Sequence, residues 1–319
     1  MNEPHIPLLD LSVWRTGDDA IRKELALELD HALRTSGFLL LSGHQVPAEM
    51  FTELRRSAKQ FFSLPTEAKN GYATTVGGRG WIPTGKEANS FLGVDADVSR
   101  PDMKETYTVG RDHLTGDAKV DATWFRPNVW PKEVPDLQHN ALRFMDAMCH
   151  VYDDLLQICA LALGLDAQWF IERTSQGTRT LNINRYPSLQ ESGAAQEGQF
   201  RVGPHTDWGI FTLLDRQPGY GGLQIESDGA WFDAPFVEGA LVINIGDLMA
   251  RWTGDRWRST RHRVLPPQPD MPQEELISLI QFCDANVGTL IEPIGRDTAE
   301  PAVTAGEYMR QRALAATVN

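Results

Sequence analysis

The sequence predicts a mainly β core of jelly-roll or barrel type behind a helical front half, read as one domain over residues 1–319. Hydrophobic residues recur every three or four positions up to about residue 163, which is helical spacing, and after residue 178 the pattern alternates as in strands. The second half then offers short strand candidates divided by turn residues such as Pro218-Gly219 and Asp228-Gly229, a rhythm that suits a jelly roll. Composition agrees: 41% hydrophobic against 23% charged residues is core-forming. A chain of this length can bury roughly 75% of its unfolded surface.

Taken in order, Ile6-Pro7-Leu8-Leu9-Asp10-Leu11 reads as a short extended opening. Asp18 can cap a helix running to about Ser36, because its carboxylate accepts from the first free backbone N–H groups. Ile21, Leu25, Leu29 and Leu33 form that helix's apolar stripe, Gly37 ends it, and Phe38 to Leu41 reads as a fully buried strand. Pro47 opens a second helix with Met50, Leu54, Ala58, Phe61 and Phe62 on one face. Residues 71–131, rich in Gly, Pro, Asp and Trp, read as loops packed on a scaffold, with one strand at Glu105 to Val109. The longest helix is expected from Leu137 to Leu163, with a core-facing stripe through Leu142, Met145, Cys149, Tyr152, Leu156, Cys159 and Leu163. Strands are expected at Thr180–Tyr186, Gly209–Asp215, Gly222–Ile225, Ala240–Ile245, His262–Leu265 and Leu276–Cys283.

Charge excludes several partners. Against 43 Asp plus Glu stand 30 Lys plus Arg, a net charge of −13. Nucleic acid, which needs clustered cations, and anionic membrane surfaces are therefore not expected partners. The longest apolar run, Leu155 to Leu165, is too short to span a bilayer. Met1 to His5 shows no signal-peptide pattern. Cys149, Cys159 and Cys283 lack a C-x-x-C spacing and read as buried small hydrophobes in a reduced, cytoplasmic protein, with a monomer as the default. Gly77-Gly78-Arg79-Gly80 lacks the Lys of a phosphate loop, and no G-x-S-x-G elbow occurs. An acidic chain that binds an anionic small molecule must do so through a local positive site.

His205-Thr206-Asp207 is the most informative tripeptide. On a strand, residues i and i+2 face one side, so His205 and Asp207 would share one space. His262 follows after 54 intervening residues, at the start of a later strand. Two imidazoles and one carboxylate make the facial triad of non-heme Fe(II) oxygenases. Zinc hydrolases also use such a set, but the helical H-E-x-x-H is absent. On these three residues alone, ordinary hydrogen-bonded histidines remain the competing reading.

The surrounding segments extend the pattern. Ser36-Gly37-Phe38-Leu39-Leu40-Leu41, Phe61-Phe62-Ser63-Leu64-Pro65, Asn184-Arg185-Tyr186-Pro187, His205-Thr206-Asp207-Trp208-Gly209, Asn244-Ile245-Gly246-Asp247 and Trp257-Arg258-Ser259-Thr260-Arg261-His262-Arg263-Val264 occur in order. With them the chain resembles the isopenicillin N synthase-like family of 2-oxoglutarate- and Fe(II)-dependent oxygenases over nearly its whole length. The resemblance implies a double-stranded β-helix, a cupin-like jelly roll flanked by helices. It sets an N-terminal oxygenase region at 1–130 and the jelly-roll core at 178–290. It also implies Fe(II) on His205, Asp207 and His262, 2-oxoglutarate contacted by Asn184, Tyr186 and Ser278, and O2 as co-reactant. Hydroxylation, desaturation or ring formation on a small molecule would release succinate and CO2. Asp247 is expected at a structural turn and not as a ligand.

One position departs from the family. Its pattern places an Arg two residues before the Ser that follows the second His, paired with the distal carboxylate of 2-oxoglutarate; here that residue is Leu276, and no Arg occurs between Val264 and Gly295. Leucine offers no donors, and a carboxylate buried against it would cost several kcal/mol. Arg185 and Arg263 alternate with pocket residues and should point away; Arg251, Arg258, Arg201 or Lys104 would need loops to bring them in. Three readings follow: 2-oxoglutarate held by Tyr186, Ser278 and another cation; an isopenicillin N synthase-type oxidase whose substrate supplies all electrons; or a metal-binding jelly roll without oxygenase activity.

Overall fold

The structure is a computed structural model that describes residues 3–88, 100–295 and 301–316, with side chains as far as Ala313. Its front half contains β1 (Leu8–Asp10), α1 (Leu11–Thr16), α2 (Asp19–Thr35), β2 (Phe38–Ser42), α3 (Ala48–Phe62), α4 (Thr66–Asn70), β3 (Gly80–Ile82), β4 (Glu105–Gly110), α5 (Ala118–Trp124), α6 (Asp136–Ala162) and α7 (Trp169–Thr174). The second half contains β5 (Arg179–Tyr186), α8 (Leu189–Ser192), β6 (Val202–His205), β7 (Phe211–Asp215), β8 (Leu223–Ser227), β9 (Ala230–Asp233), β10 (Leu241–Ile245), α9 (Asp247–Trp252), β11 (His262–Val264), β12 (Leu276–Cys283), β13 (Leu290–Ile291), β14 (Val303–Thr304) and α10 (Ala305–Ala316).

Local chemistry sets the boundaries. The Asp18 carboxylate accepts from Ala20 and Ile21 N–H at 3.0 Å and starts α2. Gly37 ends it with φ +73°, a conformation that other residues adopt at a cost. Pro47 stands at the N-cap of α3, where its missing N–H loses nothing. Asp228 and Gly229 both have positive φ and alone separate β8 from β9, as a primed two-residue hairpin turn requires.

Twelve of the strands build the two main sheets, and β13 pairs with β14 in a separate two-stranded one. The larger runs β1-β2-β10-β7-β12-β5-β4-β3, and the smaller runs β6-β11-β8-β9. The large sheet is covered on both faces. Leu39, Leu41, Leu181, Ile183, Leu213, Ile243 and Leu279 join one cluster with the buried faces of α2, α3 and α6. The alternate residues face the smaller sheet: Phe38, Leu40 and Val242 meet Leu223 and Ile225, and Tyr186 and Leu276 meet Val202. This is the jelly roll expected from the strand pattern, flanked on one side by helices.

The structure also corrects the element map. Residues 71–131 hold β3 and α5 besides the expected strand, with α5 capped by the Asp117 carboxylate; residues 89–99 of that stretch lie outside the described residues. Strands β6 and β9 were not expected. Both are edges of the smaller sheet, where Pro204 can replace an N–H without breaking a ladder. Strand β7 begins at Phe211, two residues later than expected, and β6 ends at His205, so Asp207 lies in the loop between them and not on a strand with His205. Ile21 is 41% exposed, because the buried stripe of α2 runs through Leu25, Ala26, Leu29, Ala32 and Leu33. On α6, Leu142 and Cys149 are only half-buried, and Phe144, Met148 and Leu155 fill the core instead. Cys159 and Cys283 are buried as expected.

Candidate metal centre and cosubstrate pocket

Strand pairing assembles the His-Asp-His set. In the smaller sheet His262 of β11 lies directly across from His205 of β6, and the ring centroids are 4.3 Å apart. Asp207 reaches the pair from the following loop: its Oδ1 is 3.7 Å from His205 Nε2 and 3.8 Å from His262 Nε2. These gaps are too long for hydrogen bonds. One donor atom from each residue lies within 4.8 Å of the others, which leaves room for one ion at the centre.

The outward contacts fix which atom each residue turns inward. His205 Nδ1 lies 2.8 Å from the Gly203 carbonyl, and His262 Nδ1 lies 3.1 Å from that of Thr260. A carbonyl only accepts, so each Nδ1 carries a hydrogen and each Nε2 is the ring nitrogen turned toward the centre. Asp207 Oδ2 accepts from Thr212 Oγ1 and from Asn244 Nδ2 at 2.7 Å, which leaves Oδ1 for the centre. Burial, followed by the neighbouring His262, lowers the His205 pKa to about 4. Burial would raise that of Asp207, but the two imidazoles and the bonds from Thr212 and Asn244 outweigh it and hold the carboxyl below its ordinary value. At neutral pH the set therefore has a neutral His205 and an ionised Asp207, the protonation a divalent cation requires. Two nitrogens and one oxygen, buried and open on one side, fit Fe(II).

Asp247 braces the arrangement. It opens α9, its N–H donates to the Asp207 carbonyl at 2.8 Å, and its carboxylate accepts from Ser259, Thr206, Tyr308 and Arg312. It thus ties the loop after β6, the segment before β11 and α10 together, a turn role as expected.

The three residues open into a cavity of about 600 Å³ between the sheets, and Asn184, Tyr186, Leu276 and Ser278 line the same space. Across β5 and β12, Tyr186 pairs with Leu276 and Asn184 with Ser278, so the expected cosubstrate residues form one patch. Thr106 Oγ1 donates to Asn184 Oδ1 at 2.9 Å and fixes the amide with its NH2 toward Tyr186. Leu276 is 7% exposed and packs among Tyr186, Val202 and Val264. Arg185 points outward to Glu105, Glu191 and Glu275, and Arg263 lies against Gln224 and Trp231, as alternation predicts. Lys104 does line the cavity, paired with Glu87, whereas Arg201 is held by Glu274 behind Tyr186. Arg251 and Arg258 lie on a separate hollow of about 680 Å³ that contains none of the three metal-set residues.

Sequence reasoning missed several lining residues. Thr212, Glu87, Arg216 and Asp284 all face the cavity. Burial pushes the Asp284 carboxyl up to about 6, and among the described residues its Oδ1 has no hydrogen-bond partner. Alternation along Thr212, Leu214 and Arg216 could have flagged the row, but only with the strand's inward face known. Trp81 is a core residue whose Nε1 bonds Glu105, while its neighbour Ile82 lines the cavity.

Comparison with known proteins agrees with this geometry. The family profile described as the N-terminal part of the non-haem dioxygenase in morphine synthesis matches residues 6–133, and that of the 2OG-Fe(II) oxygenase superfamily matches residues 178–284. The chain is 43% identical over 314 residues to the validamycin A dioxygenase of Streptomyces hygroscopicus subsp. limoneus, covering 96% of this chain and 85% of that protein. A 2-oxoglutarate-Fe(II) type oxidoreductase of Emericella nidulans, hxnY, is 30% identical, covering 81% and 74%. Among solved structures, a full-length Neurospora crassa protein in complex with alpha-KG superposes with a TM-score of 0.83 at 28% identity, covering 98% of each chain. Motifs, donor geometry and these relatives converge, and the chain belongs to the 2OG-Fe(II) oxygenase superfamily.

Proposed function

We propose that the chain oxidises a polar small molecule with O2 and 2-oxoglutarate, releasing succinate and CO2, at a centre built from His205, Asp207 and His262. The observation that carries this is the convergence of two Nε2 atoms and one Oδ1 around a single point on the wall of a cavity. When bound, Fe(II) with 2-oxoglutarate couples O2 reduction to attack on an unactivated C–H bond. The chain's own residues hold and orient. His205 and His262 present lone pairs, and Asp207 supplies the negative charge that a divalent cation prefers. Asn184, Tyr186 and Ser278 offer an amide and two hydroxyls to the cosubstrate. Phe38, Leu214, Leu223 and Val264 keep the walls dry, which strengthens each polar contact inside.

The lining also holds Asn182, Thr180, Arg79, Arg126 and Arg310 together with Trp124 and Trp208, and this supports a polar substrate. Validamycin A, named for the relative at 43% identity, is the first compound to assay. A monomer working in the cytoplasm belongs to the same proposal; three free thiols support a reducing compartment. Among the described residues no helix is long and apolar enough to cross a membrane.

Anaerobic protein given Fe(II) and 2-oxoglutarate should develop a weak visible charge-transfer band. His205→Ala, Asp207→Ala and His262→Ala should each lose the band and turnover while keeping the wild-type circular dichroism. Turnover by a folded alanine variant would disprove the ligand assignment. Substrate-dependent O2 uptake without succinate would favour the reading in which the substrate supplies every electron.

A further inference from the structure

A dicarboxylate cosubstrate in an acidic chain needs a local cation, and Leu276 cannot be it. Most cations around Tyr186 are already neutralised. Lys104 is ion-paired with Glu87 and reaches Thr106. Arg201 is paired with Glu274 at 2.9 Å. Arg185 is turned outward onto Glu105, Glu191 and Glu275.

Arg216 differs from all of these. It continues the inward row Thr212, Leu214, Arg216 and lines the cavity with Tyr186, Leu276 and Ser278. Strands β7 and β12 pair with Asp215 opposite Leu279; one residue further along this antiparallel register, Arg216 falls opposite Ser278. Directly opposed residues on one sheet face have Cβ atoms about 5 Å apart. The guanidinium NH1 meets only the carbonyls of Ala234 and Pro235, each at 3.3 Å, and among the described residues no carboxylate lies within ion-pairing distance. Beside it Gly221 leaves space, since a Cβ there would sit 3.0 Å from Arg216 NH2. Two carbonyls orient the guanidinium plane without cancelling its charge, so its remaining donors suit a carboxylate.

We propose that Arg216, reaching in from the end of β7, holds the distal carboxylate of 2-oxoglutarate, with Ser278 as its cross-strand partner. This rests on the 2-oxoglutarate-dependent reading above and names the cation that reading requires. The anchor stands on the strand beside the one that carries Leu276.

The test is binding, with no turnover involved. Anaerobic full-length protein with Fe(II) is titrated with 2-oxoglutarate and, separately, with 2-oxovalerate, which keeps the chelating end but has a methyl in place of the distal carboxylate. The charge-transfer band reports each affinity. Arg216→Leu should weaken 2-oxoglutarate binding by about 100-fold and leave 2-oxovalerate unchanged. Arg216→Lys should fall between, because it keeps the charge and loses the fork. The double variant Arg216→Leu/Leu276→Arg should recover most of the lost affinity. An Arg216→Leu protein that binds 2-oxoglutarate like wild type would overturn the proposal. So would equal losses for both acids, which would make Arg216 a structural support for Ala234 and Pro235. If Arg216→Leu does not fold, the preference of Arg216→Lys for 2-oxoglutarate over 2-oxovalerate decides, and an unchanged preference overturns the proposal. Wild-type protein that binds Fe(II) but shows no band with either acid would instead overturn the 2-oxoglutarate-dependent reading itself.

Discussion

Asn244 shows what a single side chain contributes beyond the donor set. It lines the cavity beside Asp207 and donates to that residue's Oδ2 at 2.7 Å, while Thr212 holds the same oxygen from the adjacent strand. Freed of these bonds, the carboxylate would rotate and lose its bias toward the two imidazoles. Asn244→Leu is therefore expected to weaken Fe(II) binding by about 10- to 100-fold. Metal titration followed by the 2-oxoglutarate band checks this, and wild-type affinity would mean that the loop alone orients Asp207. The three proposed donors were legible in the sequence because residue type and order carry their chemistry. Thr212 and Arg216 were not, because neither has a motif of its own; each matters only through the strand lying beside it.

Among the elements, the junction of α2 and β2 sets where the large sheet begins. Gly37 holds φ +73°, and a Cβ there would collide with the Arg258 carbonyl oxygen. The close approach brings the segment leading to β11 onto the end of α2, where Arg258 N–H donates to the Leu33 carbonyl at 2.9 Å. Gly37→Ala should cost roughly 2 kcal/mol or more from strain and displacement together. Urea midpoints would measure it, and a loss under about 0.5 kcal/mol, the scale of an ordinary surface change, would contradict it. The long helices and buried strands were legible because their apolar spacing spans many residues. Strands β3, β6 and β9 have only three or four residues, and Pro204 argues against a strand unless its edge position is known.

For the molecule as a whole, one buried carboxylate joins the helical layer to the jelly roll. Asp30 on α2 accepts from Arg256 Nε and Trp257 Nε1, both at 2.8 Å, across more than two hundred residues of sequence. Burial would raise its pKa, but the bonds from Arg256 and Trp257 and the charges of Arg256 and Arg34 bring it below the ordinary 3.8. A carboxyl with a depressed folded pKa stabilises the native state above its unfolded pKa, and that stability is lost as pH falls through the folded value. Asp30→Asn should cost about 2–3 kcal/mol near neutral pH. The difference from wild type should stay level above about pH 5 and shrink progressively below it. Urea unfolding between pH 6 and pH 3, within the range where the native state persists, tests both points, and a difference that does not change with pH would contradict the linkage.

The sequence by itself determined the family and the jelly roll and singled out the three proposed metal donors. Those features are carried by residue identity, by short spacing and by the order of motifs along the chain. It also revealed the missing cation at Leu276 and the acidic balance that makes a local one necessary. Only the tertiary structure decided which cation faces that gap. Lys104, Arg185, Arg201 and Arg216 are equally charged on paper, and burial and pairing distinguish them: acidic partners occupy the first three, and Arg216 faces the cavity with none among the described residues. The β7–β12 register that sets Arg216 beside Ser278 depends on long-range packing, which local spacing cannot encode.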